Sequence, residues 1–365
     1  AVKYYQYFIN QGFKDHRVFS NYAGILKGMG KLKDAEILLR KAIEINPDFA
    51  IAHSNLGNIL NDLGKLKDAE LSLCKAIEIH PDNSEAHLNL GNVLKNMGKL
   101  QEAELSLRKA IEIKPDYAMA YSNLGNVLKN MGKLQEAEIL LRKAIAIKPD
   151  YADAHLNLGN ILNDLGKLQE AELSLRKAIE IKPDYAIAHS NLGSILINLG
   201  KLQEAELSLR KAIEIKPDFA MAYANLGNIL NNLGKLQEAE LSLQKAIEIK
   251  PDFAVAAWNL YGLSNSIKEA EERINQCLKR DENHLKAKLN LSALKLHQGD
   301  HSLFDNLMKS SYKDHSITRS IKWVSTLQKL PELFFHRWAF FDRMIDLSKK
   351  DRPFYEFGVW RGESF

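Results

Sequence analysis

The sequence predicts an all-α fold built from repeated helix pairs. The repeating unit is clearest at residues 186–219, and it recurs six times from residue 50 to residue 253 without insertion or deletion. Two residue types recur every 34 residues: the glycines Gly57, Gly91, Gly125, Gly159, Gly193 and Gly227, and the prolines Pro47, Pro81, Pro115, Pro149, Pro183, Pro217 and Pro251. A fixed period of this length is typical of a solenoid whose units stack on one another.

Each unit contains the pattern of two amphipathic helices. In the unit at 50–83, Leu56 and Leu60 lie one turn apart and share a helical face. Apolar residues then recur at three- and four-residue spacing from Ala69 to Ile77, which predicts a second helix. Neither helix buries its apolar face alone, so the pairs are expected to stack.

Small and cyclic residues mark the ends of these helices. Gly64 is suited to the left-handed conformation that closes a helix, and Pro81 cannot continue one. Asp82 follows the proline and is predicted to cap the next helix.

These positions together resemble the tetratricopeptide repeat. The pattern reads His53-x2-Leu56-Gly57-x2-Leu60, then Ala69-x3-Leu73, then Pro81. Histidine, tyrosine or leucine replaces the large aromatic residues of the family. The resemblance covers roughly residues 16–284 and implies a right-handed superhelix of about eight to nine helix pairs, with the first helices lining a concave face.

The regularity changes along the chain. Residues 1–15 match the second helix of an earlier, partial repeat, or alternatively an aromatic N-terminal cap. Residues 16–253 are seven repeats, and 254–309 are degenerate repeats that cap the array. Residues 310–353 are predicted to form a helical extension, and 354–365 a short strand followed by a glycine loop.

The last segment carries the one catalytic signal in the sequence. The predicted strand contains Glu356, and Gly358 and Gly362 follow it at two and six residues in the form Glu-x-Gly-x-Trp-Arg-Gly. This is similar to the first strand and loop of class I S-adenosylmethionine-dependent methyltransferases, in particular the macrocin O-methyltransferase family. The resemblance implies a truncated cofactor loop, with S-adenosylmethionine as a cofactor of a longer protein. No catalytic residue and no cofactor are expected in residues 1–365 themselves; a tail that caps the solenoid is the alternative.

Asparagine repeats at one position of every predicted first helix. The series is Asn21, Asn55, Asn89, Asn123, Asn157, Asn191, Asn225 and Asn259, and a second series is Asn58, Asn92, Asn126, Asn160 and Asn228. A side-chain amide both donates and accepts hydrogen bonds, so a row of them suits an extended peptide backbone. The first series resembles the asparagine ladder of O-linked N-acetylglucosamine transferase repeats, which implies peptide binding. The alternative is that asparagine is simply common at this position.

Charge and composition limit the other classes of partner. Residues 1–253 carry 32 basic and 32 acidic side chains, so the regular array is neutral and lacks the basic stripe that nucleic acid requires. No run approaches the roughly 20 apolar residues of a membrane helix. Lys95 and Lys129 alone do not make a clamp for an acidic peptide terminus. The expected partner is a protein or extended peptide; self-association through repeat surfaces is a further alternative.

Histidine and cysteine are assigned structural roles. His53, His87, His155 and His189 occupy one repeat position, too far apart to share a metal ion. The two cysteines, Cys74 and Cys277, are interpreted as small buried thiols, which fits a reducing cytoplasm.

Overall fold

The structure is a computed structural model that describes residues 2–12 and 14–310. This part of the chain forms 19 α-helices and contains no strand, so the predicted all-α class is confirmed. The chain divides into two compact units, residues 1–183 and 184–365. The helices of the first unit are α1 (Val2–Asn10), α2 (His16–Gly28), α3 (Leu32–Ile45), α4 (Ala50–Asp62), α5 (Leu66–Ile79), α6 (Ser84–Asn96), α7 (Leu100–Ile113), α8 (Ala118–Asn130), α9 (Leu134–Ile147), α10 (Ala152–Asp164) and α11 (Leu168–Ile181). Those of the second are α12 (Ala186–Asn198), α13 (Leu202–Ile215), α14 (Ala220–Asn232), α15 (Leu236–Ile249), α16 (Ala254–Tyr261), α17 (Ile267–Arg280), α18 (Leu285–His297) and α19 (Ser302–Met308).

Glycine closes the first helix of each regular pair. Gly64 has φ of 74°, and its amide donates to the carbonyl of Asn61 at 3.0 Å. The next amide, of Lys65, donates back to the carbonyl of Leu60 at 2.8 Å. These two bonds form a Schellman motif, which satisfies carbonyls that the helix end leaves unpaired and turns the chain into the second helix.

A second glycine in each unit allows close packing within the pair. A Cβ atom on Gly57 would lie 2.5 Å from Cγ of Leu73 and 3.1 Å from the carbonyl oxygen of Ala69. Ala69, Leu73 and Ala76 are completely buried. The glycine of the first helix therefore packs directly against the leucine of the second, and two buried alanines flank that leucine on its own helix.

Stacking joins the pairs inside each unit. The second helix of one pair packs on the first helix of the next, as α5 does on α6. Neighbouring first helices also contact one another directly, for example α4 with α6 and α6 with α8. The first helices thus form a continuous layer within the first unit.

Glutamates that are buried or half-buried connect successive repeats by a periodic ion pair. Glu104 accepts hydrogen bonds from Arg108 at 2.7 Å and from Lys133 of the next repeat at 3.2 Å. Arg108 also donates to Glu136 of that next repeat at 2.6 Å. Hydrogen bonding to Arg108 is the largest influence on Glu104 and helps to hold the pKa of its carboxyl below the ordinary value.

The helix N-caps differ from the prediction for Asp82. The N-cap of α6 is the following residue, Asn83, whose side-chain oxygen accepts a hydrogen bond from the amide of Ala86 at 3.0 Å. The N-caps of α4 and α8 are the aromatic residues Phe49 and Tyr117, which make no side-chain cap bond. The proline-aspartate pair therefore belongs to the turn before the cap.

Helix α1 packs on the start of the first unit. Val2, Tyr5 and Ile9 contact the core, and the ring of Tyr5 stacks on that of Tyr22 with centroids 5.7 Å apart. Phe8 of the same helix is exposed. The packing face is therefore set by i, i+3 and i+7 spacing from Val2.

The repeat shortens near the end of the second unit. Helix α16 has 8 residues, where the preceding first helices have 13. Ala270, Ile274 and Cys277 of α17 are nevertheless completely buried, so this helix packs like the earlier second helices, three residues sooner than the 34-residue period would place it. The predicted extension at 310–353 and the strand and loop at 354–365 lie outside the described residues.

Candidate peptide-binding face

The asparagine face of the first unit is formed by eight residues of the stacked first helices. These are Asn55, Asn58, Asn89, Asn92, Asn123, Asn126, Asn157 and Asn160, and all of them are half-buried. Both asparagine series lie beside the buried leucine and glycine positions that fix each helix on its neighbours. The amides are therefore held by the packed scaffold.

Most of these amides have unused hydrogen-bonding capacity. Among the described residues, the side chains of Asn55, Asn89 and Asn123 make no hydrogen bond to the protein. The same is true of Asn58, Asn92 and Asn126 over residues 2–12 and 14–310. Each such amide offers two donors and one acceptor oxygen with two lone pairs.

Asn157 differs from the three ladder residues before it. Its Nδ2 donates to Oγ of Ser122 at 3.3 Å, so part of its capacity is used inside the protein. Ser122 itself is 1% exposed. A ligand at this step would meet the amide oxygen and one remaining donor of Asn157.

The spacing of the face suits an extended chain. Adjacent first helices are in contact, and packed helices lie about 8–10 Å apart. An extended backbone advances about 3.3 Å per residue, so three residues span one repeat. The period of the amides is thus close to a whole number of peptide units.

The residues around the asparagines are less uniform. Ile51 and Met119 are 56% and 45% exposed at the start of α4 and α8, and the same position holds Glu85 and Asp153 in α6 and α10. Apolar and acidic side chains therefore alternate from repeat to repeat along this edge. The position three residues later is buried in all four helices, at Ser54, Leu88, Ser122 and Leu156.

In the second unit the asparagine series is partly engaged and then ends. Asn191 and Asn259 are half-buried, Asn228 is exposed, and Nδ2 of Asn225 donates to Oγ of Ser194 at 2.9 Å. The next residue in register, Asn290, is buried: it accepts a hydrogen bond from the hydroxyl of Tyr261 and donates to the carbonyl of Lys286.

An aromatic cluster stands at that end. The indole of Trp258 lies 4.9 Å from the ring of Tyr261 and 5.1 Å from that of His284, measured between centroids. Trp258 is half-buried, whereas the equivalent positions of α12 and α14 hold the buried small residues Ser190 and Ala224. The last step of the series therefore presents aromatic surface.

The repeated histidines have a local structural role. Nε2 of His53, His87 and His155 donates to the carbonyl of Pro47, Pro81 and Pro149, at 2.8, 2.9 and 3.0 Å. Each bond ties a first helix to the turn before it. The described part of the chain holds no group of three or more histidine, cysteine or acidic side chains arranged for a metal ion.

The two cysteines and the predicted cofactor loop are the remaining positions that the sequence singled out. Cys277 is buried, and burial raises the pKa of its thiol to about 11. Cys74 is exposed, which corrects the expectation that both thiols are buried. Glu356, Gly358 and Gly362 of the predicted cofactor loop lie outside the described residues. Among residues 2–12 and 14–310, none of the helices combines the length and the hydropathy of a membrane span.

Comparison with solved structures places the fold among helix-pair solenoids. One match is to a chain in the crystal structure of the APC/C hetero-tetramer Cut9–Hcn1, which is 18% identical. The match covers 76% of this chain and 55% of that chain, with a TM-score of 0.60. A tetratricopeptide repeat protein from Parabacteroides merdae is 20% identical, with 67% and 97% covered and a TM-score of 0.53. YrrB, described as a TPR protein with an unusual peptide-binding site, is 29% identical, with 50% and 95% covered and a TM-score of 0.42. No curated protein sequence matches the chain.

The fold and the layer of first helices define a repeat scaffold, and family models identify the repeat. Tetratricopeptide repeat models match residues 16–49, 38–70, 57–98, 82–150, 116–184, 150–218 and 220–253. Together they cover well over half of the chain, which therefore belongs to the tetratricopeptide repeat family. Such repeat stacks present extended binding surfaces, and the chain is a protein-interaction scaffold.

Proposed function

We propose that the chain binds an extended segment of a partner protein along the asparagine face. The observation that carries this proposal is the half-buried, unpaired state of the Asn55, Asn89 and Asn123 amides among the described residues. Half-buried amides are partly shielded from water, so a ligand that pairs with them regains hydrogen bonds at little further desolvation cost.

The expected ligand is a backbone rather than a particular side chain. A peptide bond offers one donor and one acceptor, which matches what each asparagine amide offers in return. The alternating edge residues, Ile51, Glu85 and Met119, then supply the preference for sequence. This division gives general affinity from the repeats and specificity from the positions that vary.

The test compares two triple variants with the same number of substitutions. Asn55→Ala, Asn89→Ala and Asn123→Ala together remove the amides of the asparagine face. The control replaces the exposed residues Gln101, Gln135 and Gln169 of the second helices with alanine. Random 15-residue peptides displayed on phage are selected on the unaltered chain, and the strongest binder is measured by fluorescence anisotropy.

The asparagine variant is expected to bind this peptide roughly 30-fold more weakly or worse, because three hydrogen-bonded groups contribute about 0.5–1.5 kcal/mol each. The glutamine variant should bind like the unaltered chain. Equal binding by both variants, with unchanged helicity by circular dichroism, would exclude the asparagine face as the binding site.

A further inference from the structure

An exposed aliphatic stripe runs along the second helices of the first unit. It consists of Ile37, Leu71, Leu105, Ile139 and Leu173, which are 55–69% exposed. Leu105 follows the core residue Ala103 by two positions, or about 200° around the helix, and so faces away from the core.

The regularity of the stripe distinguishes it from ordinary exposed leucines. Single exposed aliphatic residues are common on soluble proteins and need no explanation. Here one residue in each of five successive repeats carries the same feature at the same position, and Leu207 and Leu241 repeat it in the second unit at 69% and 65% exposure. An exposed aliphatic residue at the same position of successive repeats is the kind of apolar feature that suggests an interaction surface.

Two charged rows flank the stripe. Three residues before each member is an acidic residue, and four residues after it is a lysine. The acidic row is Asp34, Asp68, Glu102, Glu136 and Glu170; the lysine row is Lys41, Lys75, Lys109, Lys143 and Lys177. With a helical rise of about 1.5 Å per residue, the rows lie about 4.5 and 6 Å to either side of the stripe along the helix direction.

This arrangement is complementary to itself. A two-fold axis parallel to the stripe reverses the helix direction between two facing copies, so the acidic row of one copy meets the lysine row of the other. A two-fold axis parallel to the helices would instead keep the helix direction the same in both copies. The acidic row would then face the acidic row of the other copy, and the lysine row would face the lysine row. A second copy also has the same spacing between its repeats, so every aliphatic residue meets its counterpart along the whole stripe.

Part of this capacity is engaged within the chain, because Glu136 and Glu170 accept hydrogen bonds from Arg108 and Arg142, and Lys143 lies over the ring of Tyr121. The other members of the two rows are less constrained. Lys109 pairs with Glu112 at 2.8 Å and Lys75 with Glu78 at 2.8 Å, both as exposed i,i+3 contacts. Such exposed pairs contribute little to stability, and each ammonium group retains further donors. The carboxylate of Glu102 is 60% exposed and its nearest cation is 3.9 Å away.

We therefore propose that a second copy of this chain docks on the aliphatic stripe, forming a symmetric dimer through the second helices. This surface is distinct from the asparagine face, which lies on the first helices. Dimer formation would thus leave the proposed peptide site open and make the scaffold bivalent, which raises its avidity for partners that carry two copies of the ligand.

The first test is sedimentation velocity of the full chain over a range from about 1 to about 100 μM. A concentration-dependent dimer is expected for the unaltered chain. The triple variant Leu71→Glu, Leu105→Glu, Ile139→Glu should raise the dimer dissociation constant about 100-fold or more, because apolar contacts at an interface centre carry much of its affinity. A control with Ile51→Glu and Met119→Glu, two exposed aliphatic residues of the first helices, should dimerise like the unaltered chain.

The second test examines the charge complementarity. Lys41→Glu, Lys75→Glu and Lys109→Glu together place like charges opposite one another and should weaken the dimer. Adding Asp34→Lys, Asp68→Lys and Glu102→Lys exchanges both rows and should restore it, with circular dichroism confirming that each variant is folded. A chain that is monomeric throughout the range, a dimer that survives the aliphatic triple variant, or a failure of the double exchange to restore association would each overturn the proposal.

Discussion

Gly57 lies so close to Leu73 that a Cβ atom on the glycine would be 2.5 Å from Cγ of the leucine. The same relationship recurs between Gly91 and Leu107 at 2.5 Å and between Gly159 and Leu175 at 2.7 Å. The two helices of a repeat are therefore held at a separation that admits no side chain at this position. This contact fixes the first helices, and with them the asparagine face.

Gly57→Ala is expected to destabilise the fold by about 1–3 kcal/mol, because the added methyl group overpacks the core. That cost exceeds the gain of about 1 kcal/mol in helix propensity. Gly24→Ala is the matched control: this glycine is also inside a first helix, but a Cβ there meets nothing within 4 Å. Gly24→Ala should raise the urea midpoint and Gly57→Ala should lower it; the reverse order would contradict the packing account.

Cys74 interrupts the periodic ion pairs. It occupies the position of Arg108 in the next repeat, so Glu70 keeps its hydrogen bond from Lys99 at 2.7 Å but has no arginine four residues later. Cys74→Arg would bring a guanidinium to Glu70 and Glu102, as Arg108 reaches Glu104 and Glu136. We expect a gain of about 0.5 kcal/mol, measured as a rise in the melting temperature.

The control for this substitution is Gln244→Arg. Gln244 also replaces the arginine of the repeat, but Glu240 already accepts a hydrogen bond from Arg273 of the shortened repeat. A second guanidinium would meet the first, so no gain in melting temperature is expected. Equal stabilisation by both substitutions would show that the ion pairs between repeats do not determine the effect.

The same ion pairs predict a dependence of stability on pH. Hydrogen bonds from Lys65 to Glu36 and from Lys167 to Glu138 are the leading influences that keep the pKa of these carboxyls below the ordinary value of 4.5. A lowered folded-state pKa means that the folded protein binds fewer protons than the unfolded chain near this pH. The stabilisation is therefore present above about pH 4.5 and is lost as the pH falls through the folded-state pKa.

Melting temperatures measured downward from neutral pH should thus decrease below about pH 4.5. A variant with Glu36→Gln, Glu104→Gln and Glu138→Gln should start less stable and show a shallower decrease, since three of its paired carboxyls no longer titrate. Identical slopes for the variant and the unaltered chain would rule out these carboxyls as the source.

Much of the fold is predictable from spacing because the repeat is exact in length. Gly57 and Pro81 mark the same points in every unit, and the i, i+4 relation of Leu56 and Leu60 gives the buried face directly. Repetition also multiplies each weak local signal, since an accidental pattern would not recur at 34 residues.

The features that the sequence did not predict depend on which neighbouring helix covers each side chain. Leu88 and Ser122 look like groove residues on a single helix, yet adjacent helices bury them. Cys74 falls in an apolar-looking stretch but takes the exposed arginine position. The side chain of Asn157 is hydrogen-bonded to Ser122, whereas that of Asn123 is not. This difference depends on tertiary contacts, so the repeat pattern alone does not predict it.

The claim that the asparagine face binds a peptide backbone is tested most directly by N-methylation of the ligand. A peptide selected on the unaltered chain is methylated at one backbone nitrogen at a time, which removes a single donor and changes no side chain. The account predicts that affinity falls roughly 10-fold at positions about three residues apart, matching the spacing of successive repeats. It also predicts that these losses disappear on the Asn55→Ala, Asn89→Ala, Asn123→Ala variant. Affinity that is insensitive to N-methylation, or equally sensitive on both proteins, would contradict it.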